Sequence, residues 1–384
     1  MTRIYTEEQI GEYTLILTAV SMFGSVICGR YDLSIVSEPK NENVFPLIKL
    51  SFIVTLVLSA VVSLGYTIYY VLLEETTLNY LSAFFWIFVL LLFTGIGQIL
   101  ISYNNRCQEY SLMTSVQIVR EVGRDLSLIV LGLFKTGVFG LLISQCLSVF
   151  LGLKRQATGL QKEFGKVIHC TNKQLREVGR IHKNQLLYSV LASFANSFSY
   201  SALNLFVSSL FGVKELAYYS MSFRMLGLPL QLLSVNVSKV FFENASRDYD
   251  KKGSFRKVFV QTSLLLSLCS IVMVFVLMLW APSLFKIFFG EGWEQAGVYV
   301  RYLAPMFGIR LVVGALTPTI TICKKQNWEL TLQVLFLLSA VLCYSLARNQ
   351  GSIKLFLIAI SVTYSIVYLI YYIVMLKLSE KKEN

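Results

Sequence analysis

The chemistry open to this chain is set by arginines and a few carboxylates lodged in apolar sequence. One stretch carries Gln117, Arg120, Glu121, Arg124 and Asp125. At helical spacing these fall largely on one side over about two turns. Further on, Arg224 stands five residues before Pro229, and Arg301 and Arg310 flank Pro305, with Thr317, Pro318 and Thr319 beyond. A guanidinium is a planar fork of donors suited to phosphate, and arginines here outnumber carboxylates in apolar surroundings, so the surplus points to an anionic ligand. A pyrophosphate head would satisfy it. The candidate anion-holding residues are Arg224, Arg301, Arg310, Arg120 and Arg124. Glu121 and Asp125 are the carboxylates placed to couple H+ or Na+, or else they neutralise the adjacent arginines. The competing reading has Arg120, Arg124 and Lys239 snorkelling to an interface and Arg310 pairing structurally. Both readings stand for the Arg120 stretch; the mid-span positions of Arg224 and Arg301 favour a cavity.

Other chemistries lack material. The two histidines, His169 and His182, cannot furnish a zinc site or a histidine acid/base pair, and the seven cysteines are scattered, so no metal is expected. No phosphate loop, serine elbow or histidine metal pair occurs. Asp248-Tyr249-Asp250 copies the acid pair of metal-dependent glycosyl transfer only superficially, because it lies in a charged run that reads as a solvated loop. The expectation is a non-enzyme without a cofactor.

The elements that must position these residues are helices in lipid. Of 384 residues, 55% are apolar and 15% charged, and mean hydropathy is +0.63. The apolar runs are continuous, as spanning helices require and β-barrels do not. They predict an all-α polytopic membrane protein with eleven spans, near 10–28, 44–73, 78–101, 111–134, 138–153, 186–211, 216–242, 259–282, 296–322, 329–347 and 353–376. Polar residues repeat along three of them: Thr14, Thr18, Ser21, Ser25; Ser51, Thr55, Ser59, Ser63, Thr67; and Ser193, Asn196, Tyr200, Asn204, Ser208. The first two read as close-packing faces. The third is bulkier, and Asn196, Tyr200 and Asn204 form a candidate sugar path. Pro229, Pro305 and Pro318 permit kinks.

Connections on one side of the spans hold 22 Lys and Arg and those on the other hold 6, which predicts a cytoplasmic C-terminus. That asymmetry explains the formal charge of +12 without nucleic acid. The basic linker 154–184 should lie against anionic cytoplasmic lipid. The segment 288–296, with Trp293 among apolar neighbours, reads as an interfacial helix outside the membrane. Residues 5–15 match 211–221 at an offset of 206 residues, an aromatic, polar-turn, aliphatic, small, aromatic pattern leading into a span. An apolar run precedes the second copy but not the first. The expectation is therefore two lobes, 1–153 and 185–384, joined by the linker, with a six-span second lobe and a first lobe short of its first helix.

Four stretches carry a resemblance: Gly29-Arg-Tyr-Asp-Leu-Ser-Ile-Val36, Ala217-Tyr-Tyr-Ser-Met-Ser-Phe-Arg-Met-Leu-Gly-Leu-Pro229, Val240-Phe-Phe-Glu-Asn-Ala-Ser-Arg247 and Phe289-Gly-Glu-Gly-Trp-Glu-Gln-Ala-Gly297. They resemble the O-antigen and capsule polysaccharide flippases of the multidrug/oligosaccharidyl-lipid/polysaccharide exporter superfamily. The resemblance implies a MATE-like fold around a cationic cavity. It also implies movement of undecaprenyl-pyrophosphate-linked oligosaccharide units across the bacterial inner membrane by alternating access. Membrane lipids, a polysaccharide polymerase and chain-length machinery are the implied partners. A membrane-embedded glycan polymerase or ligase, and a drug or cation exporter of the same superfamily, are the alternatives.

Overall fold

The computed structural model describes residues 1–73, 78–183, 189–323, 325 and 327–380, with the side chains of 192, 196, 200, 327, 329 and 330 also outside the description. The described chain is helical and divides into two compact units, 1–201 with 212–214, and 202–211 with 215–384.

In the first unit, α1 (Glu7–Gly24), α2 (Tyr31–Ser37), α3 (Asn41–Val71), α4 (Tyr80–Arg106), α5 (Tyr110–Leu133) and α6 (Val138–Phe150) are followed by three short helices, α7 (Leu153–Lys162), α8 (Phe164–Ile168) and α9 (Asn172–Ile181). The α1 start is fixed by a capping box: Gln9 N–H donates to Thr6 Oγ1, and Thr6 N–H donates to Gln9 Oε1. α3 packs along α4, and α5 along α6. The α3 contact is close because the stripe Ser51, Thr55, Ser59 and Ser63 is wholly buried and Gly95 of α4 lies against Thr55, which is the packing role its spacing predicts. Thr14 and Thr18 donate to carbonyls four residues back in α1, both at 2.8 Å.

α10 (Val190–Pro229) contributes to both units. It breaks at Gly212 (φ 84°, ψ 178°), where the sequence predicts the turn between two spans. In the second unit, a π-helical turn at Leu230–Ser234 follows Pro229 directly and leads into α11 (Val235–Lys252), the widened turn expected where a proline has removed a donor. α12 (Arg256–Phe289) packs along α13 (Glu294–Leu316), and α15 (Asn327–Gln350) along α16 (Ile353–Glu380), with the short α14 (Pro318–Ile322) after α13. α13 is the core helix of this unit, while α12 turns Leu268, Ile271 and Phe275 outward at 61–65% exposure, a face suited to lipid.

Eight described helices are long and apolar enough to cross a membrane, against eleven expected. The difference has identifiable sources. α1 opens with Glu7, Glu8 and Glu12, α5 carries four charges, and Ser201–Lys252 counts as one length although the break at Gly212 separates two of the expected spans. Two expectations are corrected. Trp293 is no interfacial anchor: it is 1% exposed and meets the Tyr218 ring edge-on at 5.7 Å. Its helix is pressed against α12, since a Cβ on Gly297 would stand 2.5 Å from Pro282 Cα. Pro318 stands in the first turn of α14, within the single candidate span Glu294–Ile322. Asp248 lies in helix α11, not a loop, and pairs with Lys252 at 3.1 Å.

Candidate functional site

The charged stretch of α5 builds a cavity inside the first unit. Its lining comprises Ile101 of α4, Met113, Gln117, Arg120, Glu121 and Arg124 of α5, Gln145 and Ser148 of α6 and Gln156 of α7, and its volume is about 330 Å³. α5 is amphipathic in an unusual sense: Ile118, Val119, Val122, Leu126 and Ile129 are exposed, while the polar residues turn toward the cavity. Steps of three and four residues keep that polar row on one face.

Each side chain in the row has a different electrostatic status. Arg124 is neutralised twice, by Glu121 Oε2 at 2.6 Å and Asp125 Oδ1 at 3.1 Å. Arg120 donates its Nε–H to the Ser148 carbonyl at 3.1 Å, and no described carboxylate forms an ion pair with it. Its terminal nitrogens pass close to Gly97, where a side chain would meet Nη1 at 3.8 Å. The stretch balances in number, two arginines against two carboxylates, but both carboxylates pair with Arg124 and neither with Arg120. Glu121 and Asp125, 53% and 65% exposed, sit at the rim with Arg124 between them.

The far wall comes from the linker, which sequence reasoning treats only as a basic cytoplasmic connection. Gly152, at φ 87°, lies with its Cα hard against Val116 of α5, so the chain turns from α6 into α7 where a side chain would collide. One turn later Gln156 and Leu160 point inward, at 2% and 3% exposure, while Lys154 and Arg155 stay outside. The Gln156 amide oxygen is buried without a hydrogen-bond partner. Its backbone is held, because Asn104 donates Nδ2–H to the Gln156 carbonyl at 3.0 Å. Across the cavity Gln145 Oε1 accepts from Tyr13 Oη at 3.1 Å. Gln145, Ser148 and Gln156 were not foreseen; the i, i+4 step from Gln156 to Leu160 in an otherwise basic helix is the sequence signal that could have found Gln156.

Arg224, Arg301 and Arg310 lie in the second unit. Arg301 donates Nη2–H to the Leu279 carbonyl of α12 at 2.8 Å, and its Nε is buried without a partner. Arg310 lies over the Phe223 and Phe307 rings at 5.7 and 5.4 Å, a cation–π arrangement. Arg224 is exposed. Of the sugar-path candidates, Asn204 is half-buried in the second unit, and the side chains of Asn196 and Tyr200 lie outside the described residues. Among the described residues no group of three His, Cys, Asp or Glu could hold a metal ion.

A buried carboxylate outside the α5 row is also notable. Asp32 follows two left-handed residues, Gly29 and Arg30, and is 7% exposed with its Oδ1 unpartnered. Burial pushes its pKa up, against the opposing pull of the Arg30 guanidinium.

Comparison with known proteins follows this geometry. A family described as "Polysaccharide biosynthesis protein" matches residues 1–297. Among curated proteins none matches. Among solved structures, an inward-facing multidrug resistance MATE family transporter of the MOP superfamily is similar with a TM-score of 0.71 at 12% identity, over 99% of this chain and 95% of that one. The lipid II flippase MurJ, in an inward closed conformation, is similar with a TM-score of 0.69 at 13% identity, over 96% and 84%. A MOP superfamily transporter from Pyrococcus furiosus gives 0.52 at 15% identity, over 99% and 90%. These identities speak to fold alone. The chain is a multi-pass membrane protein with the MOP-superfamily transporter fold, and it belongs to the polysaccharide biosynthesis protein family.

Proposed function

We propose that the protein is a flippase that carries undecaprenyl-pyrophosphate-linked oligosaccharide units across the bacterial inner membrane by alternating access, for assembly of a surface polysaccharide. The observation that carries this reading is the polar cavity of the first unit, in which Arg120 forms no ion pair with a described carboxylate. A charge so placed in a membrane protein is costly unless a ligand answers it, and a guanidinium with free terminal donors answers phosphate. The family match to polysaccharide biosynthesis and the fold shared with a lipid II flippase support the same substrate class.

The protein works without covalent chemistry. Arg120 holds the pyrophosphate, and Arg124, released from Glu121 or Asp125, joins it; Arg224 and Arg301 of the second unit are candidates for further anion contacts. Uptake of H+ or Na+ by Glu121 and Asp125 would free Arg124 and so couple ion and substrate. The C-terminus is cytoplasmic, as the distribution of Lys and Arg supports. A polysaccharide polymerase and chain-length machinery receive the product in the outer leaflet.

The test is translocation by the purified full chain in proteoliposomes loaded with undecaprenyl-pyrophosphate-linked units from the source cell. Units should become accessible to an impermeant glycosidase in the opposite leaflet with unchanged chemical structure. A new glycosidic bond would mean a polymerase or ligase; no movement of units alongside efflux of cationic drugs would mean an exporter. Either result refutes the proposal.

A further inference from the structure

We propose that the α5–α7 cavity is a reading site for the first sugar of the transported unit, in which Arg120 takes the phosphate and the amide oxygen of Gln156 accepts a hydrogen bond from a hydroxyl of the sugar attached to it. This assignment rests on the flippase reading above and adds to it the part of the substrate that is discriminated.

Two features of the cavity ask for two different halves of one ligand. At the α5 wall, Arg120 spends its Nε–H on the Ser148 carbonyl at 3.1 Å, which leaves the terminal nitrogens for an anion. At the α7 wall, Gln156 is 2% exposed and its amide oxygen accepts nothing. A buried acceptor left empty costs free energy that a donor-bearing ligand recovers. A phosphate has no donor to give when fully ionised, and a lipid tail has none at all. A sugar hydroxyl does, and a glycosyl phosphate supplies donor and anion on one rigid group.

The remaining wall fits the same ligand. Gln117 and Gln145 add amides that can accept from or donate to hydroxyls, and Met113 and Ile101 offer an apolar surface for the ring's C–H face. The volume of about 330 Å³ is at the lower end of small-molecule sites, enough for one sugar and its phosphate but not for a whole oligosaccharide. Gln156 is also held for the task, by Asn104 on its backbone carbonyl at 3.0 Å and by the Gly152 turn that sets α7 beneath α5. Because the Asn104 bond is to the main chain, a side-chain change at Gln156 leaves this support in place.

The selectivity follows from the cost of an unfilled acceptor. A unit whose first sugar lacks the matching hydroxyl, or a bare undecaprenyl pyrophosphate, leaves Gln156 unpaired and binds less well. The full-length protein in nanodiscs can be titrated with two lipids, undecaprenyl pyrophosphate and the source cell's own undecaprenyl-pyrophosphate-linked units. The wild type should prefer the glycosylated lipid by about tenfold, as one buried hydrogen bond allows. Gln156→Leu should abolish that preference while keeping the affinity for the bare lipid. Gln156→Glu, which keeps an acceptor at the same reach, should retain the preference, and Arg120→Ala should weaken both lipids together. If both lipids bind but Gln156→Leu keeps the wild-type ratio, or lowers both affinities alike, the sugar-reading assignment alone is wrong. If the wild type binds neither, the substrate reading falls and takes this proposal with it.

Discussion

Two helices, α5 in the first unit and α13 in the second, each carry a pair of arginines in apolar sequence, and they use them in opposite ways. On α5 the pair is four residues apart, about 40° around the helix, so Arg120 and Arg124 share a face. That face lines a cavity with amides on its far side. On α13, Arg301 and Arg310 are nine residues apart, about half a turn in net rotation and roughly 14 Å along the axis. One reaches a carbonyl of α12 and the other lies over two phenyl rings. An arginine inside an apolar run therefore signals a partner of some kind, and the spacing to the next polar residue decides whether that partner can be a ligand. Packing density separates the helices further. α5 buries only Val116, Leu128 and Gly132, whereas α13 is the buried core of its unit.

The sharpest way to break this comparison is to remove one arginine from each helix. Arg120→Ala should cut translocation of lipid-linked units by about a hundredfold, the loss of charge-assisted hydrogen bonds to phosphate. Arg310→Ala should change translocation by less than about threefold and lower the melting temperature instead, because Arg310 lies over the Phe223 and Phe307 rings. Equal transport defects at normal protein levels would erase the distinction.

The second contrast concerns the backbone of the same two helices. A methyl group on Gly297 of α13 would meet the Pro282 and Ala281 main chain at 2.5–2.8 Å, and main chain cannot swing aside. Gly297→Ala should destabilise by about 2–3 kcal/mol. On α5, a methyl on Gly123 would meet only the Leu151 side-chain tip, which can turn away, and Gly123→Ala should cost less than about 1 kcal/mol. Thermal unfolding in detergent reads both, and an inverted order would show that α5 is the tighter seat.

The smallest effect separates the first unit's polar contacts by pH. Glu38 is 5% exposed; burial alone would raise its pKa, but hydrogen bonds from Asn43 (3.0 Å) and His182 (2.7 Å) and from the Lys40 amide (3.2 Å) hold it below the usual carboxylate range. A depressed carboxylate adds stability above its unfolded pKa and loses it as pH falls through the folded value. The melting temperature should therefore decline on acidification below the normal carboxylate range, and Glu38→Gln should flatten that decline by about 2 °C. An unchanged slope in the variant would remove Glu38 from the account.

Much of the fold was legible because lipid imposes simple rules. Long apolar runs had to be helices, and the break between two of them is visible in the sequence as the Phe211-Gly212 turn. The Ser51 to Ser63 stripe announced a close helix contact through its spacing. The number of spans was less legible, because α5 and α1 mix charge with apolar length and hydropathy cannot say which face a charge takes. Trp293 shows the same difficulty in reverse: an aromatic beside glycines and acids reads as interfacial, yet it is buried with its ring against Tyr218.

By itself the sequence determined the solvent, the helical class and the excess of arginine over carboxylate, since each depends on composition and local period alone. It also determined that Arg120 and Arg124 share a face, because helical geometry requires it. What only the tertiary structure decided is which arginines lack carboxylate partners and what stands opposite them. Arg124 meets Glu121 and Asp125 on its own helix, yet Arg120 is left without an acid, and the empty acceptor across from it comes from Gln156, thirty-six residues on. Burial and pairing are set by neighbours distant in sequence, and no local period records them.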